Sequence, residues 1–214
     1  MTEPAQKDYL SLPTKEFLQD LGSGSPTPGG GSAAALTGSI GVNLGHMVAS
    51  FALKRAQKQG TETDPIAHVM ARLERGANLL SGLIAEDIAA YDLWRRASRL
   101  DPADPDAAQQ KQVALTAALA IPSQVLATCA ACLRDMAALA PLSSKYLWTD
   151  LAGAAQMTLA SAEAAAWTVH ANLGSPDLSP AEQTRVRQEI RHQQDEANRA
   201  CAQVVDFVRA KVIG

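Results

Sequence analysis

A chain of 214 residues suits one domain that buries roughly two-thirds of its unfolded surface; here 47% of residues are hydrophobic but only 4% aromatic, so the apolar content is small and chiefly alanine. A net charge of −3, from 19 basic and 22 acidic residues, offers no basic footprint for nucleic acid. Three cysteines do not make a secreted disulfide framework, and the N-terminal segment lacks the basic start and apolar run of a signal peptide, so a cytoplasmic protein is expected.

Alanine has the best intrinsic helix propensity and lets helices approach closely. Period-3.6 spacing recurs throughout, and no stretch alternates as a strand. These patterns predict an all-α, single-domain bundle of about six helices over residues 1–214, with residues 1–13 as a flexible N-terminus. The first helix is expected over residues 14–22, opened by Thr14 as N-cap. A Gly/Pro-rich loop over residues 22–32 follows, then a second helix over residues 32–59. Asp64-Pro65 opens a long third helix to about residue 100, and Pro122 should kink or interrupt the fourth. The fifth is expected over residues 143–173. Ser179-Pro180-Ala181-Glu182 is a capping box that opens the sixth, ending near residue 212.

No charged residue occurs from Pro26 to Leu53, long enough to span a bilayer. Seven polar side chains and six glycines make it poor material for a lipid-facing helix, so a buried bundle helix is expected and no membrane partner. The second helix divides into three stripes. Leu36, Ile40, Leu44, Met47 and Phe51 form an apolar one; Ala34, Gly38, Gly41, Gly45 and Ala52 a nearly bare one; Ser39, Asn43, His46 and Ser50 a polar one. Glycine inside a helix costs about 0.5–1 kcal/mol relative to alanine, which points to close backbone approach. Buried, Asn43 and His46 would need partners from a site, a subunit interface or water.

Gly29, Gly30, Gly31 and Ser32 precede this helix either as a linker or as a cradle whose free N–H groups face an anion at the positive helix end. On the third helix, Ile66, Val69, Leu73, Ala77, Leu80, Leu83 and Ile84 run into Asp87, Tyr91 and Trp94, with Glu86 towards the edge. A carboxylate on an apolar face must be paired, hydrogen-bonded or protonated. Asp87 is thus a general acid/base with a raised pKa or a structural salt-bridge partner. Asp150, Ala154, Met157, Ser161, Ala165, Thr168 and Asn172 share a face of the fifth helix, suggesting a polar cavity within or between subunits. Cys129 and Cys132 read as small buried thiols rather than a metal pair.

Phe17-Leu-x-x-Leu-x-Ser-x-Ser-Pro-Thr-Pro-Gly-Gly-Gly-Ser32-Ala-Ala-Ala, then Gly38-x-x-Gly41 and His46-Met-Val48, resembles the opening of the cyclodeaminase/cyclohydrolase family. Leu83-Ile-Ala-Glu-Asp-Ile-Ala-Ala-Tyr91 resembles its second block, and Pro122, Asp150 and Asn172 fall where that family carries them. The resemblance implies a helical homodimer acting on a folate one-carbon adduct without metal or nucleotide. It implies a methenyltetrahydrofolate cyclohydrolase with Asp87 as general acid/base; a formiminotetrahydrofolate cyclodeaminase and a non-catalytic pterin- or protein-binding dimer are the alternatives. By the same analogy Gly29, Gly30, Gly31, Ser32, Asn43, His46, Asp150 and Asn172 line the pocket, and charge complementarity puts Lys54 or Arg55 at the glutamyl tail. Three places depart from the family pattern. Ser143-Ser144 and Thr149-Asp150 replace a Gly-Asn and a Ser-Asp pair, Lys54-Arg55-Ala-Gln-Lys58 is a reduced basic run, and Asp92-Leu-Trp94-Arg-Arg96 replaces a small, apolar continuation.

Overall fold

In the computed structural model, which describes residues 7–101 and 103–213, the elements are α1 (Thr14–Leu21), α2 (Gly30–Gln59), α3 (Asp64–Ala97), α4 (Ala107–Leu139), α5 (Trp148–Asn172) and α6 (Pro180–Val212). The expected all-α six-helix bundle is the observed one. Helix α2 packs against α5 and α3, α4 closes the far side against α3 and α5, and α6 lies on α4 and α5. Leu73, Leu80 and Leu83 of α3 meet Leu126, Leu133 and Met136 of α4 in a fully buried core.

Several boundaries differ from the sequence reading, each for a local reason. Thr14 is the first residue of α1 rather than its cap, Pro13 holding the N-cap position with an extended backbone. Helix α2 begins two residues early, so Gly30 and Gly31 belong to its first turn instead of the loop. Pro122 neither breaks nor ends α4. Helix α5 starts at Trp148, because the Ser144 side chain accepts from the Tyr146 N–H and turns residues 145–147 into a 3-10 segment. The capping box at Ser179 and Glu182 forms as read. Of the stretch expected to be flexible, residues 1–6 lie outside the described residues. Lys7 and Tyr9 reach Asp20 at 2.7 and 2.8 Å, and the Tyr9 ring meets Phe17 edge-on.

Helix α2 is turned opposite to what its hydrophobicity suggests. The bare stripe is the buried one: a Cβ at Gly38 would lie 2.6 Å from the Ser161 hydroxyl, one at Gly41 2.9 Å from the Ala154 carbonyl, and one at Gly45 2.7 Å from the Met136 methyl. The large apolar stripe faces outward, with Ile40 and Phe51 about half exposed (50% and 53%). Both α2 and the stretch Ala107–Leu142 are long and apolar enough to cross a membrane; in this fold they are bundle helices.

Candidate active site around Asp87

The site grows from the N-terminus of α2. The first N–H groups of a helix have no intrahelical partner, and here they open onto α3. Ser32, fully buried, donates its Oγ proton to Asp87 Oδ2 at 2.6 Å, and its backbone N–H bears on the same carboxylate. Gly31 is glycine for a steric reason, since a Cβ there would fall onto the Asp87 carboxyl group. Burial pushes the Asp87 pKa above its ordinary range, and the two Ser32 hydrogen bonds partly oppose that by favouring the charged form. No ion pair to Asp87 occurs among the described residues, so the carboxylate is desolvated and hydrogen-bonded to Ser32 rather than salt-bridged.

Asp87 lines a cavity of about 410 Å³ together with Pro26, Thr27 and Gly29–Gly31 on one side and Tyr91 and Trp94 on another. Helix α4 supplies Ala117, Ala118, Ile121 and Pro122, and the C-terminal end of α5 adds Thr168 and Asn172. Among the described residues Asp87 is its one carboxylate, and no Lys or Arg lines it. A small molecule entering here meets one carboxylate, free backbone donors of Gly30 and Gly31, a hydroxyl, an amide and two aromatic faces. That set can bind a flat, partly cationic heterocycle and move a proton beside it.

Pro122 and Asn172 work as a pair. Proline has no N–H, so Pro122 leaves the carbonyl four residues earlier, that of Ala118, without its helical donor. The Asn172 Nδ2 donates to that carbonyl at 2.7 Å. This bond holds the amide at the cavity wall and leaves Asn172 Oδ1 without a hydrogen bond among the described residues. Proline thus explains how α4 contributes to the site, a contribution the sequence reading overlooked. The signal available was the proline itself, whose i−4 carbonyl must find a donor.

The model of the formiminotransferase-cyclodeaminase family matches residues 13–196. The chain belongs to that family. Among its relatives, a methenyltetrahydrofolate cyclohydrolase of Methylorubrum extorquens is 38% identical over 76 residues, 36% of each chain. A formimidoyltransferase-cyclodeaminase of Sus scrofa is 26% identical over 210 residues, 96% of this chain and 38% of the relative. The matches therefore span little more than a third of these curated relatives. A formiminotetrahydrofolate cyclodeaminase from Thermotoga maritima shares the fold, with a TM-score of 0.81 at 21% identity over 95% of this chain and 99% of the other.

Of the family positions carried onto this chain, Gly29, Gly30, Gly31, Ser32, Asp87 and Asn172 gather at the cavity, Ser32 through its bond to Asp87. Three others, and Lys54, which charge complementarity alone put at the site, do not reach it within one subunit. Asn43 is exposed and turns back on its own helix, its Nδ2 donating to the Ser39 carbonyl at 2.8 Å, so it needs no buried partner. His46 lies half-buried between Gly45 and Met47, well along α2 from the glycine cradle. Lys54 is exposed, its Nζ 5.8 Å from the centre of the Phe51 ring; it stands 24 residues from Gly30, about 36 Å along the helix. Asp150 opens α5 whereas Asn172 closes it, about 33 Å away. Sharing a helix face does not mean sharing a cavity. The middle of the α5 stripe is buried helix packing, with Ser161 Oγ donating to the Ala34 carbonyl at 2.6 Å. Cys129 and Cys132 are buried as expected, and burial pushes both thiols up to about 12, which leaves them unreactive at neutral pH.

The Gly31–Asp87 contact gives a sharp test. Gly31→Ala should fold normally, because the obstructed group is a short side-chain end that can swing aside. Displacing the carboxylate by about an ångström should lower turnover roughly a hundredfold. A melting temperature close to wild type together with that loss, read from thermal unfolding and steady-state kinetics, is the expected pair. Unchanged kinetics would separate Asp87 from the chemistry.

Proposed function

We propose that this chain acts on a folate one-carbon adduct and hydrolyses the methenyl bridge of 5,10-methenyltetrahydrofolate to give 10-formyltetrahydrofolate. The observation that carries this reading is the single desolvated carboxylate in a cavity without cations. The methenyl bridge is an amidinium cation, and Asp87 matches its charge while lying where a proton must move. As the water oxygen bonds to the bridge carbon, Asp87 accepts one of its protons. The resulting carbinol then opens: the carbon–N5 bond breaks, Asp87 returns the proton to N5, and the hydroxyl proton leaves for solvent as the formyl group forms. The net products are 10-formyltetrahydrofolate and one proton. Asn172 Oδ1 and the N–H groups of Gly30 and Gly31 offer contacts for the ring edge.

A second reading, cyclodeamination of 5-formiminotetrahydrofolate, is favoured by the alignment of nearly the whole chain with the Sus scrofa relative. There N10 attacks the formimino carbon and ammonia leaves, with the same carboxylate managing the protons. The deciding assay follows methenyltetrahydrofolate absorbance against buffer-only hydrolysis, in parallel with ammonia release from the formimino adduct. Absorbance loss well above buffer supports the cyclohydrolase. Ammonia release without it shifts the assignment to the second reaction, and neither would leave a non-catalytic binding protein.

The working unit we propose is a homodimer joined along α2. Its outward stripe of Ile40 and Phe51, with Leu36, Leu44 and Met47 half-buried beside them, is an apolar face without a partner on the most central helix. Asn43 lies on the same face, so its family role belongs to the joined subunits. A self-complementary stripe suits a two-fold axis. Phe51→Glu should convert a dimer to a monomer in analytical ultracentrifugation; a wild-type protein that sediments as a monomer would refute the pairing.

A further inference from the structure

The Asp87 cavity does not end at Trp94. A second cavity, about 460 Å³, shares Trp94, Ala118 and Asn172 with the first and continues along α3 and α4 towards the turn after α5. Trp94 is half exposed (52%) although it lines both cavities. It stands seven residues beyond Asp87, about 10 Å along the helix. It also belongs to the segment where this chain departs from the small, apolar continuation of its family. The cation of the second cavity is Lys111, half-buried and without an ion pair among the described residues. One carboxylate, Asp177, lies on the same rim.

Building on the folate reading, we propose that the two cavities form one groove whose second part binds the p-aminobenzoylglutamate arm of the substrate, the aryl ring on Trp94 and the glutamyl carboxylate at Lys111. The order of groups along the groove follows the order along the molecule. A proton-transferring carboxylate meets the one-carbon centre, an exposed indole face meets the aryl ring, and a cation meets the acidic end. An aromatic side chain on a groove wall gives stacking at little entropic cost, and a lone half-buried ammonium lacks only an anion. The arm thus reaches Lys111 rather than Lys54, which lies far from this groove in the same subunit.

The test compares 5,10-methenyltetrahydrofolate with 5,10-methenyltetrahydropteroate, which lacks the glutamyl group, on the full-length protein. Lys111→Ala should raise KM for the glutamyl substrate about tenfold, the size of one lost charge pair, with kcat within about twofold and KM for the pteroate unchanged. Lys111→Arg should restore most of the loss. Asp177→Asn should act in the opposite direction and lower KM for the glutamyl substrate, because it removes a repelling charge. Equal effects of Lys111→Ala on both substrates, or none on either, would overturn the proposal.

Calorimetry with p-aminobenzoylglutamate as the probe separates this subsite from the reaction. Binding that is lost in Lys111→Ala and weakened in Trp94→Ala supports the subsite even if no folate adduct is turned over, an outcome that would refute the function alone. Turnover of the adduct with no response to Lys111→Ala in either measurement would refute the subsite and leave the function standing.

Discussion

Asp87→Asn is expected to fold, to keep its bond with Ser32, and to lose about a thousandfold in turnover. Asparagine is close to isosteric and its Oδ1 can accept the Ser32 Oγ proton that Asp87 accepts at 2.6 Å, but it cannot take a proton from water. General acid–base catalysis by one side chain is worth typically 10²–10⁴-fold. The effect on stability should run the other way. Burial raises the Asp87 pKa in the folded protein above its unfolded value, so folding favours the protonated form. Its contribution is fully present below the unfolded pKa, at about pH 4, and is lost as pH rises through the folded pKa. The neutral amide carries no such dependence.

Melting temperatures of the two proteins measured from pH 4 to pH 8 should therefore diverge in favour of the mutant as pH rises. The acid limb of the wild-type kcat/KM profile should lie above the ordinary carboxylate range, because the carboxylate is the active form. A mutant destabilised equally at every pH would instead mark Asp87 as a structural hydrogen-bond partner.

The second large effect belongs to Gly41. In an exposed helix interior, alanine would stabilise by roughly 0.8–1 kcal/mol over glycine. At Gly41 the added methyl would stand 2.9 Å from both the Ala154 carbonyl oxygen and the Thr158 nitrogen, and 2.5 Å from the Thr158 hydroxyl. Two of these are backbone atoms of α5 and cannot rotate away, so the helices must separate. Overpacking costs typically 1–3 kcal/mol, which outweighs the propensity gain, and a larger side chain would cost more. Gly41→Ala should lower the melting temperature by several degrees, at about 2–4 °C per kcal/mol for a chain of this size. Gly82 is the control: it lies within α3, exposed, and a Cβ there would meet nothing within 4 Å. Gly82→Ala should raise the melting temperature. If both substitutions were stabilising, the α2–α5 approach would not be as close as described.

These glycines also mark how far the residues alone could lead. Helix number and type, the α3 core stripe from Ile66 to Ile84, the sixth-helix cap and a carboxylate on the apolar face at Asp87 were legible because each depends on local periodicity or on one misplaced polar group. The orientation of α2 was not. Its apolar residues and its glycines form opposite stripes of one helix, and either can face inward: large side chains gain from burial, bare ones from backbone approach. The small, alanine-rich faces of α5 decided it, accepting a bare partner and leaving Ile40 and Phe51 outside.

Membership of the site was divided in the same way. Gly29–Ser32 and Asp87 were found as motifs, yet the reason for Gly31 exists only once the first turn of α2 meets α3. Asp150 and Asn172 share a face by period, but a 25-residue helix carries them to opposite ends of the bundle, and only the Asn172 end meets the carbonyl that Pro122 leaves free. Sequence by itself determined the helices and the family and singled out Asp87; tertiary structure decided which faces meet, because periodicity specifies a direction around a helix axis and not the neighbour that lies there.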